Sequence, residues 1–390
     1  MMLRWFTAVT LSLLSLGMAG CQSASRPRSR LGCYPTSTVG TRFLDPADLG
    51  PHAYRFNFWE KNGIVYTCKA GHVDIAHLRI SADWTAYLAA KTFACLMQDD
   101  PEFSFRLSVE PSRYFVRIMY PANWQDQPRK DKERIARDVS IKLGQYLAFN
   151  ATTWHEILTW FGYRCIGIIP EFPSAFSWED SFSNLLGTHL AAAILQDPEA
   201  DFDKEMTLAI DRELEKLGAQ SRQTARWAAE KMRGLWFSGH ILFLVDTKRR
   251  NLDIGLDDGR VSPTIVPGLP ECEGAEIQSY PVPNLDFLSE YGFSVRLEIE
   301  PREWEKNKIL RAAYPDGQKR GSRVEPAIHF ARLMYHIQQD AVRNHHYSVD
   351  PCLGLPSSEE ALAGDVNGDH TLVHEDFATL ALHWLNGDNP

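Results

Sequence analysis

Residues 64–68 (IVYTC) and 73–96 (VDIAHLRISADWTAYLAAKTFACL) set a short apolar run just ahead of a long helical period. The first run has the length and β-branched content of a strand. In the second, Ile75, Leu78, Ala82, Ala86, Ala89, Phe93 and Leu96 stay within about eighty degrees of one another at 100° per residue. Trp84, Leu88 and Cys95 lie opposite that stripe, and a helix apolar on two faces is a buried one. Strand and helix signals of this kind alternate irregularly along the chain. They predict an α+β domain, helix-rich, with a small mixed or antiparallel sheet.

Outward from this stretch, residues 138–161 predict a second long helix with Val139, Leu143, Tyr146, Leu147, Trp154, Ile157 and Phe161 on one face. Residues 177–195 predict a third, opened by Ser177 as N-cap with Asp180 three residues on. Residues 202–217 and 223–236 are more charged and read as surface helices, and 327–344 follow Pro326 as the last helix. Residues 114–120 (YFVRIMY), 240–246 (HILFLVD) and 292–300 (GFSVRLEIE) read as strands. Asp257-Asp258-Gly259 is a hairpin-turn signal between 254–256 and 261–266.

The chain has 390 residues, 44% hydrophobic and 11% aromatic, a globular composition that excludes a disordered, collagen-like or multi-span membrane protein. Its 41 Lys+Arg against 50 Asp+Glu leave a net charge of −9 with no basic run to offset it, so no nucleic acid is expected as partner. Residues 1–20 hold one charge, Arg4, and an apolar run too short to span a bilayer but right for a signal peptide. The run ends Gly17-Met-Ala-Gly-Cys21, which resembles the bacterial lipobox, with Met18 where Leu is usual. That resemblance implies cleavage before Cys21, its acylation, and anchoring to the membrane in the cell envelope, on the periplasmic or outer-membrane face. Residues 21–39 then read as a tether, flexible and basic at its start (QSASRPRSR), 40–347 as the main domain and 348–363 as a linker. Export leaves Cys33, Cys68, Cys95, Cys165, Cys272 and Cys352 in an oxidising space, where six cysteines allow fifteen pairings. A buried, unpaired role for some, such as Cys95, is the alternative.

Residues 364–390 carry a cation loop. With Asp365 as position 1, oxygen ligands fall at Asn367 (3), Asp369 (5) and Asp376 (12), and Thr371 (7) offers its carbonyl, as calcium requires. The segment resembles a single dockerin type I repeat of EF-hand type, although His370 replaces the turn glycine and Val373 stands at position 9. The resemblance implies bound calcium, a protein partner for the tail, and an association with polysaccharide-degrading proteins.

Chemistry in the main domain centres on three segments. Residues 71–79 (GHVDIAHLR) place His72, Asp74 and His77 within nine residues, a set that suits zinc, another divalent metal or an acid–base pair. A capping Asp74 with core histidines also accounts for them. His155-Glu156 lacks a second His at i+4, where Thr159 stands, so the standard metalloprotease motif is absent, and a boundary His beside a solvated Glu156 is the plain alternative. Glu179 and Asp180 suit a helix N-terminus through its dipole alone, but that leaves Asn184, Gly187 and His189 in mid-helix unexplained. Familiar serine-hydrolase and nucleotide signatures are missing.

Five segments (TRFLDPADLGPHAYRF, GIVYTCKAGHVDIAHLRISADWTAY, TWHEILTWFGY, FSWEDSFSNLLGTHL and LDIGLDDGRVSPTIVPG) together resemble an uncharacterised bacterial lipoprotein family, domain-of-unknown-function family 4056, over residues 40–347. The likeness implies boundaries and an exported setting, and no reaction. Two functions are therefore expected. One is an envelope hydrolase, metal-assisted, in which His72, Asp74, His77, His155, Glu156, Glu179, Asp180 and Asn184 converge from three helices. The other is a non-catalytic surface lipoprotein that docks to a partner or polysaccharide through its tail.

Overall fold

The computed structural model describes residues 25–165, 169–241, 244–314 and 319–350, without the side chains of 165, 169 and 170. Cys21, Cys352 and the calcium loop lie outside them. Strands β1 (Ile64–Thr67) and β2 (Gly71–Asp74) form an antiparallel hairpin whose residues are all buried. Asp74 closes β2 and caps α1 (Ile75–Met97), its Oδ1 accepting from the Ala76 amide at 2.7 Å. The helix thus starts two residues later than its period predicts, because Val73 and Asp74 pair with Val65 and Ile64.

β3 (Glu102–Phe105) and β4 (Arg113–Met119) follow, then α2 (Arg129–Trp160). The first turns of α2 (RKDKERIAR) carry no apolar period and were invisible to it. There an Arg129–Glu133 pair at 3.1 Å spans one turn. After the short pair β5 (Arg164–Cys165) and β6 (Ile169–Pro170) come α3 (Asp180–Ile194), α4 (Phe202–Lys216) and α5 (Arg222–Lys231). The chain then runs through β7 (Phe237–Ser238), β8 (Asp246–Thr247), β9 (Arg249–Asn251), β10 (Arg260–Val261) and β11 (Tyr280–Pro281). The last described elements are α6 (Leu288–Tyr291), β12 (Ser294–Glu300), α7 (Lys306–Ala313), α8 (Pro326–Arg343) and β13 (Ser348–Asp350). The largest sheet is antiparallel, ordered β12-β4-β3, with Tyr114 and Val116 buried opposite Ile299 and Leu297. Its alternation is the half-buried pattern the sequence carried. The fold is α+β, helix-rich, with sheets of two or three strands among the described residues.

The core is α1 laid along α2 and α3. Two glycines let the backbones meet: a Cβ on Gly187 would stand 2.0 Å from the Leu78 carbonyl oxygen, and one on Gly144 would stand 2.6 Å from the Ala89 amide nitrogen. Gly187 is thereby explained by close packing. Asn184 accepts from the Ser81 hydroxyl at 2.7 Å, joining α3 to α1. His189 lies between Gln145 at 3.2 Å and the Pro281 carbonyl at 2.7 Å, joining α3 to α2 and β11. Among the described residues no helix is long and apolar enough to cross a membrane.

Several local expectations change. Of the described residues in 240–246 only Asp246 joins a strand pair, β7 with β8, while the Leu244 amide bonds the Ile241 carbonyl and both side chains are exposed. No hairpin forms across Asp257–Gly259. Asp253 takes the amides of Gly255 and Ser262, Asp258 takes that of Arg260, and Asn251 donates to the Ser262 carbonyl. Side chains thus replace the ladder there, and β10 pairs with β11 instead. Among the described residues a disulfide joins Cys68 to Cys272, while Cys33 and Cys95 are free. β13, in the segment read as linker, pairs in parallel with β9.

The basic tether is the largest correction. Residues from Arg28 on are built into the domain, because two buried carboxylates wait for their charge. Arg30 is buried, with Nη1 on Asp83 at 2.6 Å, Nε on Glu60 at 2.8 Å and Nη2 on the Ala53 carbonyl at 2.9 Å. Arg28 also pairs with Glu60. Against the opposing effect of burial, Arg30 and Arg79 hold the Glu60 carboxyl down at about 2. Replacing Arg30 takes the guanidinium from buried Asp83, which keeps His52 at 3.0 Å, and leaves Glu60 to Arg28 and Arg79. Arg30→Met is expected to lose about 3 kcal/mol in urea unfolding, where breaking one side of a buried pair typically costs about 3–5 kcal/mol. Exposed Arg26→Met should change stability by no more than about 0.5 kcal/mol. Equal effects of the two would contradict the buried placement of Arg30.

Candidate acid–base site

The close contact of α1 with α3 brings the first turns of both helices to the second half of α2. His77, one turn into α1, points Nδ1 between two carboxylates: Asp180 Oδ1 at 2.9 Å and Asp74 Oδ2 at 3.3 Å. The shorter approach is a charge contact whose N–H does not align as a hydrogen bond. Asp74 is fixed from outside by the Cys33 amide on Oδ2 at 3.0 Å, and its own amide donates to Ser183 at 3.0 Å. Asp180 reaches back to Ser177, accepting from its amide at 2.8 Å and its hydroxyl at 3.0 Å through Oδ2. The predicted Ser177 cap is thus reversed, the helix beginning at Asp180 with its carboxylate as acceptor.

Glu156 enters from α2. It is buried, not solvated, and its Oε2 takes the Phe176 amide at 2.9 Å. Phe176 holds a positive φ of 51°, a strained conformation for a bulky residue, and that turn belongs to the segment aiming its amide at Glu156. Glu179, at the cap of α3, is buried with neither oxygen in a well-formed hydrogen bond.

The electrostatics follow from crowding in a dry interior. Burial, then the Asp180 charge, pushes the Glu156 carboxyl up to about 8. The same two causes push Glu179 well above its ordinary value, and the His77 charge offsets only part of this. Burial alone would lower His77, but Asp74 and Asp180 outweigh it and hold the imidazole well above its ordinary value. Burial raises Asp74 as well. The cluster therefore holds more protons than its members would in water.

The chain matches a family model described as "Protein of unknown function (DUF4056)" over residues 44–244, just over half its length. It belongs to that family. No curated protein and no solved structure matches it. The DUF4056 segment supplies all five residues that meet: Asp74, His77, Glu156, Glu179 and Asp180. It does not supply the whole fold, since β12 completes the main sheet from beyond residue 244.

The other sequence candidates serve elsewhere. His72 is a core histidine: Nε2 donates to the Ala225 carbonyl at 3.1 Å and Nδ1 accepts from Trp178 at 3.3 Å. Burial pushes it down to about 4, so it stays neutral. His155 turns away from its neighbour Glu156 toward Glu110, 3.1 Å from Nδ1, and Glu171, 3.7 Å from Nε2. Against burial, Glu110 lifts it to about 9. Asn184 sits one turn deeper along α3, on Ser81.

Three contributors escaped the sequence reading. A Cβ on Gly32 would stand 2.8 Å from His77 Nε2, so the 32–33 backbone lies directly over the ring. Arg250 is fully buried near Asp180, donating to the Ala175 carbonyl at 2.6 Å and stacked 4.9 Å from the Tyr347 ring. Phe176 contributes through its amide. Gly32 and Cys33 were hidden in the supposed tether, and the buried Arg250 lies in a strand too short to show a period.

The shifts set a pH dependence. Glu156 has a folded value of about 8 against an ordinary 4.5, so its proton stabilises the fold fully below 4.5, and that contribution falls as pH rises through 8. His155, raised from 6.5 to about 9, loses its contribution in the same direction between those values. Each group weakens folding by about 1.4 kcal/mol per pH unit within its window. The melting temperature should fall from pH 6 to 9, and Glu156→Gln should flatten the fall below pH 8. A slope unchanged in that variant would contradict the shifted value.

Proposed function

We propose that this chain is an exported, lipid-anchored envelope hydrolase working by acid–base chemistry at the Asp74–His77–Glu156–Glu179–Asp180 cluster. The observation that carries the reading is an imidazole flanked by two buried carboxylates, His77 between Asp74 and Asp180, near the buried Glu156 carboxyl that burial and the Asp180 charge push up to about 8. A group poised near the working pH can give a proton in the transition state and recover it afterwards. Hydrolysis requires one proton taken from water and one given to the leaving group. Asp180, whose Oδ1 makes no aligned hydrogen bond, takes the first, and protonated Glu156 gives the second. His77 is a positioning residue that holds Asp180's charge and direction, and Asp74 holds His77 from its other side. Glu179 is a second protonated carboxyl beside it.

The donors as arranged do not fit a metal. Asp74 gives its oxygens to the amides of Cys33 and Ala76, Glu156 and Asp180 each give one to backbone, and His77 Nδ1 faces the carboxylates. Among the described residues no three His, Cys, Asp or Glu meet in a metal-holding group. Calcium belongs to the proposal for the tail, at Asp365, Asn367, Asp369, Thr371 and Asp376, with a protein partner for that segment.

One observation favours the non-catalytic reading, a surface lipoprotein that binds a partner or polysaccharide: the 32–33 backbone covers the imidazole, whose side chain is only 23% exposed. Mass spectrometry of products separates the two. The purified full chain is incubated with phospholipids, peptidoglycan fragments and polysaccharides. The hydrolase reading expects product from one class, a rate that falls above pH 8, and at least a 100-fold loss in Glu156→Gln with folding intact. No product from any class supports the binding reading instead, and product formed at a rate indifferent to Glu156→Gln contradicts the cluster as the site of hydrolysis.

For the tail, equilibrium dialysis should find one calcium per chain, lost in Asp365→Ala/Asp376→Ala. Calcium retained by that variant would contradict the loop.

A further inference from the structure

The loop after His52 pushes three large aromatic side chains into solvent. Phe56 and Phe58 are each 80% exposed and Trp59 is 71% exposed. Such a cluster marks an interaction surface on a folded monomer. Its exposure is built in, because the loop backbone is tied from both ends. The Ala53 amide donates to Glu60 at 3.0 Å, the Ala53 carbonyl accepts from Arg30 at 2.9 Å, and the Tyr54 amide donates to Asp203 at 2.8 Å. The Trp59 amide bonds the Asn57 side chain at 2.9 Å, and the Phe58 and Trp59 rings meet edge to face at 5.7 Å.

The occupant is indicated by where the chain leaves. The Tyr54 hydroxyl donates to the Ser25 carbonyl at 2.6 Å, so the aromatic loop is bonded to the first described residue. Cys21 lies four residues before it, at most about 14 Å away even when fully extended. Exposed Arg26 and Arg55 flank the loop with positive charge. Aromatic rings with a basic rim suit the headgroup level of a bilayer carrying anionic lipid.

We propose that Phe56, Phe58 and Trp59 form a membrane-docking tip, inserted in the interface of the phospholipid bilayer to which Cys21 is anchored. The proposal rests on the lipid-anchor reading of Cys21. It adds a second attachment, so that the domain is seated on the bilayer in one orientation instead of swinging on a tether.

The test uses the mature full chain on vesicles of phosphatidylethanolamine and phosphatidylglycerol, with or without brominated acyl chains. The Trp59 share of the fluorescence is the difference between the wild-type chain and Trp59→Phe. Bromolipid is expected to quench that share by more than half. The mature chain made without acylation is expected to bind excess vesicles at least tenfold more weakly when it carries Phe56→Ser, Phe58→Ser and Trp59→Ser. A Trp59 share untouched by bromolipid overturns the proposal: still open to aqueous iodide, the tip is free, and shielded from iodide, it faces protein. Intact mass reports the anchor separately. A chain from the membrane without the diacylglyceryl group overturns the anchor reading, and quenching on the unacylated chain still decides the tip.

Discussion

Two backbone contacts hold the molecule's centre, Gly187 against Leu78 and Gly144 against Ala89. At both, side chains are absent and helices touch main chain to main chain. A methyl group at either position would overlap backbone, which cannot yield as a flexible side chain can. The start of α1, the second half of α2 and the start of α3 are thereby forced into one small volume. The polar residues that chain entry and capping require at those places then have nowhere to go but against one another.

That enforced meeting explains the electrostatics. Asp74 caps a helix and Asp180 lies at the start of another, ordinary roles near helix N-termini. Glu156 and Glu179 join them in surroundings that exclude water, with His77 the cation in direct contact. Carboxylates so close cannot all ionise, and protons are retained where desolvation is greatest. The amino-terminal segment completes the enclosure. Arg28 and Arg30 bind Glu60 and Asp83, which sets Gly32 over His77 and the Cys33 amide on Asp74. A charge pair at one end of that segment and a hydrogen bond at the other are parts of a single clasp.

Much of this frame was legible because it is written in periods. The apolar stripe of α1, the proline that opens α8, the alternation of β4 and the strand run of β12 gave their positions to within a few residues. What stayed hidden has identifiable reasons. The charged opening of α2 has no apolar stripe to read. The loop between Asn251 and Ser262 is held by carboxylates and an amide that look like turn residues. Arg28 and Arg30 look like a solvated basic tether until their buried partners are known, and those partners lie thirty and fifty-three residues away. The site was half legible: Asp74, His77, Glu156, Glu179 and Asp180 were singled out by residue type. Sequence could not separate them from His72, which has the same local company but spends both nitrogens on Ala225 and Trp178. Which way a ring faces is a tertiary fact.

The acid–base chemistry proposed for this cluster depends on carboxylic acids that stay neutral at physiological pH. Infrared difference spectroscopy of the full chain at pH 7, wild type against Glu179→Gln, tests it most directly. A protonated-carboxyl C=O stretch is expected in the wild type and is lost in the variant. A difference spectrum holding only ionised carboxylate bands would contradict it.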